Sequence, residues 1–171
     1  MKIAVLSDPH NRSELQRIAL DRIEKSGVDY LLHAGDLCTE ENLRMLKESG
    51  IAYAAVFGNN DTGMLHLSSS YNIDKEPRYL LLGNLRVKMM HLPLYMSPDA
   101  EMIVYGHTHL FKAESVEGTL YLNPGEICAR ESGECGYAIV DVYPDRWVVR
   151  RESADMDNLS VWRSREIEMP R

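Results

Sequence analysis

Seven side chains of this 171-residue chain could hold metal ions, and they come in a fixed order: Asp8, His10, Asp36, Asn59, His91, His107 and His109. Their immediate contexts are Asp8-Pro9-His10, Gly35-Asp36, Gly58-Asn59-Asn60-Asp61, His91 and Gly106-His107-Thr108-His109. Imidazole nitrogen, carboxylate oxygen and amide oxygen are the donors that first-row divalent metals accept. The order reads as a two-metal hydrolytic site. Because the donors lie on five separate segments, only a fold can assemble them.

Each motif alone also has an ordinary explanation. Asp8 and His10 are two apart and would project to one side of an extended segment, but an isolated pair of this kind also describes a turn with a solvated histidine. Asp36 after a glycine fits an Asx turn, and Gly58-Asn59-Asn60-Asp61 is strong turn chemistry. His91 alone is a strand-end histidine. Gly106-His107-Thr108-His109 is the most specific, with two imidazoles around one residue and a glycine that lets backbone approach a bound group. The joint order of all five motifs carries the metal reading.

The elements that must position these groups can be read from the apolar pattern. Lys2 to Leu6, Tyr30 to Ala34 and Ile51 to Phe57 are short apolar runs, each ending where a motif begins, and they read as buried strands. Between them, Ser13-Glu14-Leu15-Gln16 has the form of a capping box, and Leu15, Ile18, Ala19, Arg22 and Ile23 follow at helical spacing. Thr39, with Glu40 and Glu41, opens a second helix. The first 60 residues thus predict β-α-β-α-β with parallel strands. Three motifs then fall at strand C-termini, the edge where open α/β sheets bind ligands.

The second half predicts mostly strands: Tyr79 to Leu82 and Leu85 to Met90 around a Gly83-Asn84 turn, then Met102 to Tyr105, Leu120 to Leu122, Tyr137 to Val142 and Trp147 to Arg150. His91 and Gly106-His107 again follow strands. The polar stretch 151–171, anchored by Leu159, Val161, Trp162 and Ile167, is expected to pack as an edge element or fray.

A chain of this length fits one domain over 1–171, with 151–171 as a peripheral tail. The formal net charge of −7 leaves no general basic field for nucleic acid, so any phosphate must be held locally. Cys38, Cys128 and Cys135 are widely spaced and suggest neither a disulfide framework nor a thiolate zinc site. Nothing in the pattern indicates a signal peptide or a membrane span, and a cytoplasmic location is expected.

Taken together, Asp-x-His, Gly-Asp, Gly-Asn-x-Asp, a lone His and Gly-His-x-His resemble the calcineurin-like metallophosphoesterase superfamily, particularly its small bacterial and archaeal phosphodiesterases. The likeness spans about residues 1 to 125. It extends to His33-Ala34-Gly35-Asp36, in which the family's first His is not a ligand, and to the closing loop Asn123-Pro124-Gly125. His33 and His66 thus drop out of the ligand set. The resemblance implies an α/β fold, a four-layer αββα sandwich of two mixed β-sheets flanked by helices. It also implies that Asp8, His10 and His109 hold one divalent metal, Asn59, His91 and His107 the other, and that Asp36 bridges them. Manganese is the first expectation for the metals, and mixed N/O ligation also suits Ni, Fe, Zn or Co. Two cations roughly 3.5 to 4 Å apart would activate a bridging hydroxide for in-line attack on phosphorus, with no covalent intermediate. Asn11 and Asn60 are the candidate substrate contacts.

The chain departs from the family pattern in three places. Asn60 stands where many members have His, and its amide can donate a hydrogen bond but cannot act as a general acid. The expected substrate is therefore a small or nucleotide-like phosphodiester with a good leaving group. His91-Leu92-Pro93 replaces the usual His-Gly. Only 15 positions separate His91 from Gly106, with Pro93 and Pro98 between them, which leaves little room for the helix that relatives carry there. An open rim would admit larger substrates, a protein partner or a second copy of the chain. The alternative reading is a non-catalytic, metal-binding interaction scaffold of the same fold, like the retromer subunit that resembles it.

Overall fold

The computed structural model describes residues 1–171. β1 (Lys2–Leu6), α1 (Ser13–Lys25), β2 (Tyr30–His33), α2 (Glu40–Glu48) and β3 (Ala52–Val56) follow as the apolar pattern predicts. A 3-10 segment (Thr62–Ser69) then leads to β4 (Ile73–Asp74), the hairpin β5 (Arg78–Leu82) and β6 (Leu85–Met89), and β7 (Met102–Val104). The chain closes with β8 (Lys112–Val116), β9 (Thr119–Asn123), β10 (Glu134–Val142), β11 (Arg146–Asp155) and β12 (Trp162–Pro170).

Two mixed sheets result. The larger has the order β12-β11-β10-β1-β2-β3-β4, and the smaller β5-β6-β7-β9-β8. β1, β2, β3 and β4 pair in parallel, whereas β10 runs antiparallel to β1. In the small sheet β7 is parallel to both β6 and β9.

The near-continuous apolar character of β1 has a direct cause. Ile3 and Val5 face the small sheet, in a cluster with Val87, Met89, Val104 and Trp147, while Ala4 and Leu6 face Leu15, Ile23 and Leu43 of the two helices. Both faces of the strand are covered, so alternation would be lost in a uniformly apolar sequence. Each such side chain contributes about 1.5 to 3 kcal/mol by burial.

Local chemistry explains where the elements begin and end. Thr39 caps α2 as expected, its hydroxyl accepting from Asn42 N. Ser13, by contrast, does not cap α1. Arg12 is the preceding residue, no side chain caps the helix, and Ser13 Oγ points instead toward Thr39 Oγ1 at 3.5 Å. The capping-box reading is thus corrected: the turn is closed by backbone bonds, Arg12 N to Pro9 O and Leu15 N to Arg12 O. The Gly83-Asn84 hairpin forms, with Gly83 at φ +59.

Both helices lie on the outer face of the large sheet. Over the outer face of the small sheet, Met90, Ile103 and Tyr105 pack with Met96 from the segment between His91 and β7, which forms turns and no helix, as its short length suggested. Lys88, fully buried, pins that segment by donating to Ser97 O at 2.8 Å and pairing with Asp99. The 151–171 stretch supplies the end of β11 and the edge strand β12, paired over Arg146 to Ala154. The edge-element expectation for 151–171 thus holds in β12, whereas the alternating polar residues of β8 gave no apolar run and that strand was not expected.

Candidate metal centre

Asp8 follows β1, Asp36 follows β2, Asn59 follows β3, His91 follows β6 and His107 follows β7. All seven proposed donors therefore meet at one edge, where the C-terminal ends of parallel strands from both sheets converge. Asp8, Asp36, His91 and His109 are buried, His10 is half-buried, and Asn59 and His107 are exposed.

The backbone there is unusual. Asp8 (φ 56), His10 (φ 49), Asp36 (φ 57), His107 (φ 66) and His109 (φ 63) are all left-handed without being glycine. Each such residue costs on the order of 1 kcal/mol or more, and such outliers concentrate where function over-determines the chain. This corrects the expectation that Asp8 and His10 share a side of an extended segment: they lie on a tight loop instead. That loop is strapped to its neighbours by Asp8 N to Gly35 O and His10 N to Asp36 O, both 3.1 Å, and by Cys128 N to Asp8 O, also 3.1 Å.

The donor atoms form two groups with a carboxylate between them. His10 Nε2 and His109 Nε2 are 3.3 Å apart, with Asp8 Oδ1 3.4 Å from the latter. Asn59 Oδ1 lies 3.0 Å from His91 Nε2 and 3.1 Å from His107 Nδ1. Asp36 Oδ2 stands 3.3 Å from His91 Nε2 and 3.8 Å from His10 Nε2, reaching both groups. Asp8, Asp36 and His91 also come within 4.8 Å of one another, so Asp8 sits near the junction rather than at one end.

Ring orientation is set from behind. His91 Nδ1 bonds to Ala34 O at 2.8 Å, and His109 Nδ1 to Glu126 Oε2 at 2.6 Å, leaving both Nε2 atoms facing the centre. Glu76 accepts from the backbone N–H groups of His91 and Leu92. Asp61 accepts from Cys38 N at 2.7 Å and Gly58 N at 2.8 Å, joining the loops after β2 and β3. Asn123 donates to Gly106 O at 2.8 Å and Thr108 Oγ1 at 3.0 Å, which fixes the Gly-His-Thr-His loop. Gly106 is needed for close approach, since a Cβ there would lie 2.2 Å from Ser7 Oγ and 2.9 Å from Asp8 Oδ2. The motif glycine thus lets the loop pack against the Ser7 hydroxyl, the Ala34 carbonyl and the Asp8 carboxylate.

Burial raises the Asp8 carboxyl above its usual range, only partly offset by nearby histidines. Burial also pushes Asp36 upward, but hydrogen bonds from His91 and Asn60 outweigh it and hold Asp36 well below the carboxylate range. Burial would lower His91, yet Asp36 and Asp8 raise it overall. His109 is raised by its bond to Glu126, and His10 is lowered by burial. His33 is fully buried, its imidazole driven to about 3 by burial, and it bonds to Gln16 and Gly35 N outside the cluster. His66 is exposed on the 3-10 segment.

The donor set fits divalent cations. Asp8 Oδ1 is fully buried and has no hydrogen-bond partner, a costly state for a carboxylate oxygen that a cation would relieve. The close approaches among Asp8, Asp36 and the imidazole Nε2 atoms bring together lone pairs of the mixed N/O type such metals take. Cys128 Sγ also comes near His10 and His109. It faces His109 Nδ1 at 3.8 Å, donates to Glu126 at 3.0 Å, and is raised by burial to about 12, so it backs the ring as a thiol.

Asn60 donates its backbone N–H to Asp36 Oδ1 at 2.9 Å and its amide to Asp36 Oδ2 at 2.7 Å. Asn11 is exposed beside His10, on an open cleft of about 470 Å³ shared with Arg12, Ala129 and Arg130. Two groups close to the centre escaped the sequence reading: Glu126 and Arg130. Each is a charged residue in a loop without a motif of its own, and the one sequence hint was the placement of Glu126 directly after Asn123-Pro124-Gly125.

No helix is long and apolar enough to cross a membrane. The chain is 25% identical over 154 residues to phosphodiesterase MJ0936 of Methanocaldococcus jannaschii, covering 82% of this chain and 93% of that protein. It is 30% identical over 158 residues to the probable metallophosphoesterase YsnB of Bacillus subtilis, covering 88% and 89%. Its fold matches the structure of vacuolar protein sorting 29 from Cryptosporidium parvum with a TM-score of 0.79 at 17% identity, over 99% and 98% of the two chains. The family model for the calcineurin-like phosphoesterase superfamily domain matches residues 1–145, and the chain belongs to that superfamily.

Proposed function

We propose that this protein is a dinuclear metal-dependent phosphodiesterase. The observation that carries the reading is the convergence of six further N/O donors around Asp36, with the buried oxygen Asp8 Oδ1 left without a partner. Asp8, His10 and His109 would hold one ion and Asn59, His91 and His107 the other, with Asp36 shared. When bound, two such ions supply Lewis-acid activation of water and neutralise charge developing on the phosphoryl oxygens. Manganese is the first choice for loading the protein.

The chain's own residues set the substrate class. His91 and His109 are held with Nε2 inward by Ala34 O and Glu126, so the centre is preorganised. Asn60 lies against the shared carboxylate and has no proton to give a leaving group. Diesters with good leaving groups are therefore favoured over monoesters with poor ones. The Asn11 cleft leaves space for the second esterified group. Residues 1–171 act as one unit in this reading, since β10 to β12 complete the sheet that β1 begins.

The likeness to vacuolar protein sorting 29 supports a second reading, a metal-binding interaction scaffold. Hydrolysis of bis-p-nitrophenyl phosphate by Mn²⁺-loaded protein, compared with Asp36→Asn, separates the two. The phosphodiesterase reading expects turnover in the wild type and its loss in the variant, and equal rates would reject it.

A further inference from the structure

We propose that Arg130 is the substrate-binding cation of this site, gripping a non-bridging oxygen of the phosphoester, and that Glu126 is the residue that positions it. This deepens the phosphodiesterase reading and rests on it for the identity of the ligand.

Arg130 Nη2 lies 3.4 Å from His109 Nε2 and 3.5 Å from His10 Nε2, on the side of both rings that faces the centre. No other Lys or Arg hydrogen-bonds or pairs with any of the seven donors. In a chain of net charge −7, Arg130 is the side-chain cation placed to add to the positive charge that the two ions would supply to an anionic substrate.

The guanidinium is free to serve. Its nearest carboxylate contact is Nε to Glu131 Oε1 at 3.5 Å, between side chains 58% and 59% exposed, and pairs so exposed contribute little. Its contacts to the two imidazoles are long for hydrogen bonds, so no strong partner must be given up when phosphate arrives. A planar fork of donors matches two phosphate oxygens at once.

Glu126 explains how an exposed arginine is aimed. Its buried carboxylate accepts from Arg130 N at 2.9 Å, Glu131 N at 2.8 Å and Ser132 N at 2.6 Å, as well as from His109 Nδ1. Ala129, left-handed at φ 54, turns the chain into this arrangement. One carboxylate thus fixes both a donor of the metal centre and the loop that presents Arg130. Because its lone pairs are used by these partners, Glu126 does not compete for the guanidinium.

The test uses Mn²⁺-loaded full-length protein with inorganic phosphate as probe. Calorimetric phosphate affinity is measured alongside Mn content and the kinetics of bis-p-nitrophenyl phosphate. Arg130→Gln is expected to weaken phosphate binding roughly tenfold to a hundredfold and to raise KM more than it lowers kcat, with Mn content unchanged. Arg130→Lys should recover part of the loss, since it keeps the charge but not the fork. Unchanged phosphate affinity in Arg130→Gln overturns the proposal, as does absence of phosphate binding by the loaded wild type. So does a gain in metal affinity as the sole effect, which would make Arg130 a guard of the empty centre. Arginine-dependent phosphate binding without hydrolysis by any form would sustain this inference while rejecting the phosphodiesterase reading.

Discussion

The two halves of the centre are built differently. Around Asp8, His10 and His109, the backing group is a charged carboxylate: Glu126 bonds His109 Nδ1 at 2.6 Å and raises its affinity for protons. Around Asn59, His91 and His107, the backing group of the buried imidazole is the neutral carbonyl Ala34 O, and the outer two donors are exposed. A charged partner increases the basicity of an imidazole and so its strength as a ligand, whereas a carbonyl mainly fixes its direction. The first half thus has a charged group behind its imidazole, whereas the second has a neutral carbonyl behind it and draws its charge from inside the centre, where Asp36 and Asp8 raise His91.

The largest effect should come from the imidazole backed by a carbonyl. His91 is fully buried and touches both Asn59 and the shared Asp36. His91→Ala is expected to reduce phosphodiester hydrolysis by more than the roughly tenfold to hundredfold typical of outer-layer changes, with loss of one bound ion by metal analysis. Retention of both ions would break the assignment of His91 to the second half.

Glu126→Gln probes the other half. It should weaken one of two metal-binding events about tenfold to a hundredfold and leave the other within a few-fold, read as a change from one binding phase to two in calorimetry. Glu76→Gln, which touches only the backbone amides of His91 and Leu92, is expected to do less. If the two substitutions had equal effects, the contrast between the halves would be lost.

Asn60→His adds a proton donor at the exposed rim, and general acids contribute most where the leaving group is poor. About a tenfold gain is expected on an unactivated phosphomonoester, with little change on an activated diester. No gain would remove Asn60 as the cause of substrate preference.

The last effect concerns stability and leaves activity unchanged. Burial holds the His33 imidazole at about 3, against about 6.5 in an unfolded chain. Between those values the unfolded state binds a proton that the folded state refuses, so stability falls as pH falls from about 6.5 toward 3. In chelator-treated protein, His33→Gln should show a shallower decline, by up to about 1.4 kcal/mol per pH unit in urea titrations. Parallel slopes would mean that the folded protein does not hold the His33 imidazole below its unfolded value.

Much of this was legible in the residues. The donors were readable because their types are restricted and each follows an apolar run, and β1 to β3 were readable because burial on both faces leaves no polar interruption. β8, with the pattern Lys112-Ala113-Glu114-Ser115-Val116, is a half-exposed strand whose formation depends on pairing with β9, and no local signal announces it. The left-handed backbone at Asp8, His10, Asp36, His107 and His109 was hidden, because none of these is glycine and only the surrounding straps make the conformation tolerable. Glu126 and Arg130 were hidden for a related reason. Their roles depend on a loop that returns 17 residues after His109 and 120 after His10.

In the proposed centre, six donors and the shared Asp36 hold two ions. Equilibrium metal analysis of full-length protein titrated with Mn²⁺, beside Asp36→Asn, tests it most directly. Two ions per chain are expected in the wild type and fewer than two in the variant at the same free metal. One ion or none in the wild type, or two in both proteins, would contradict it.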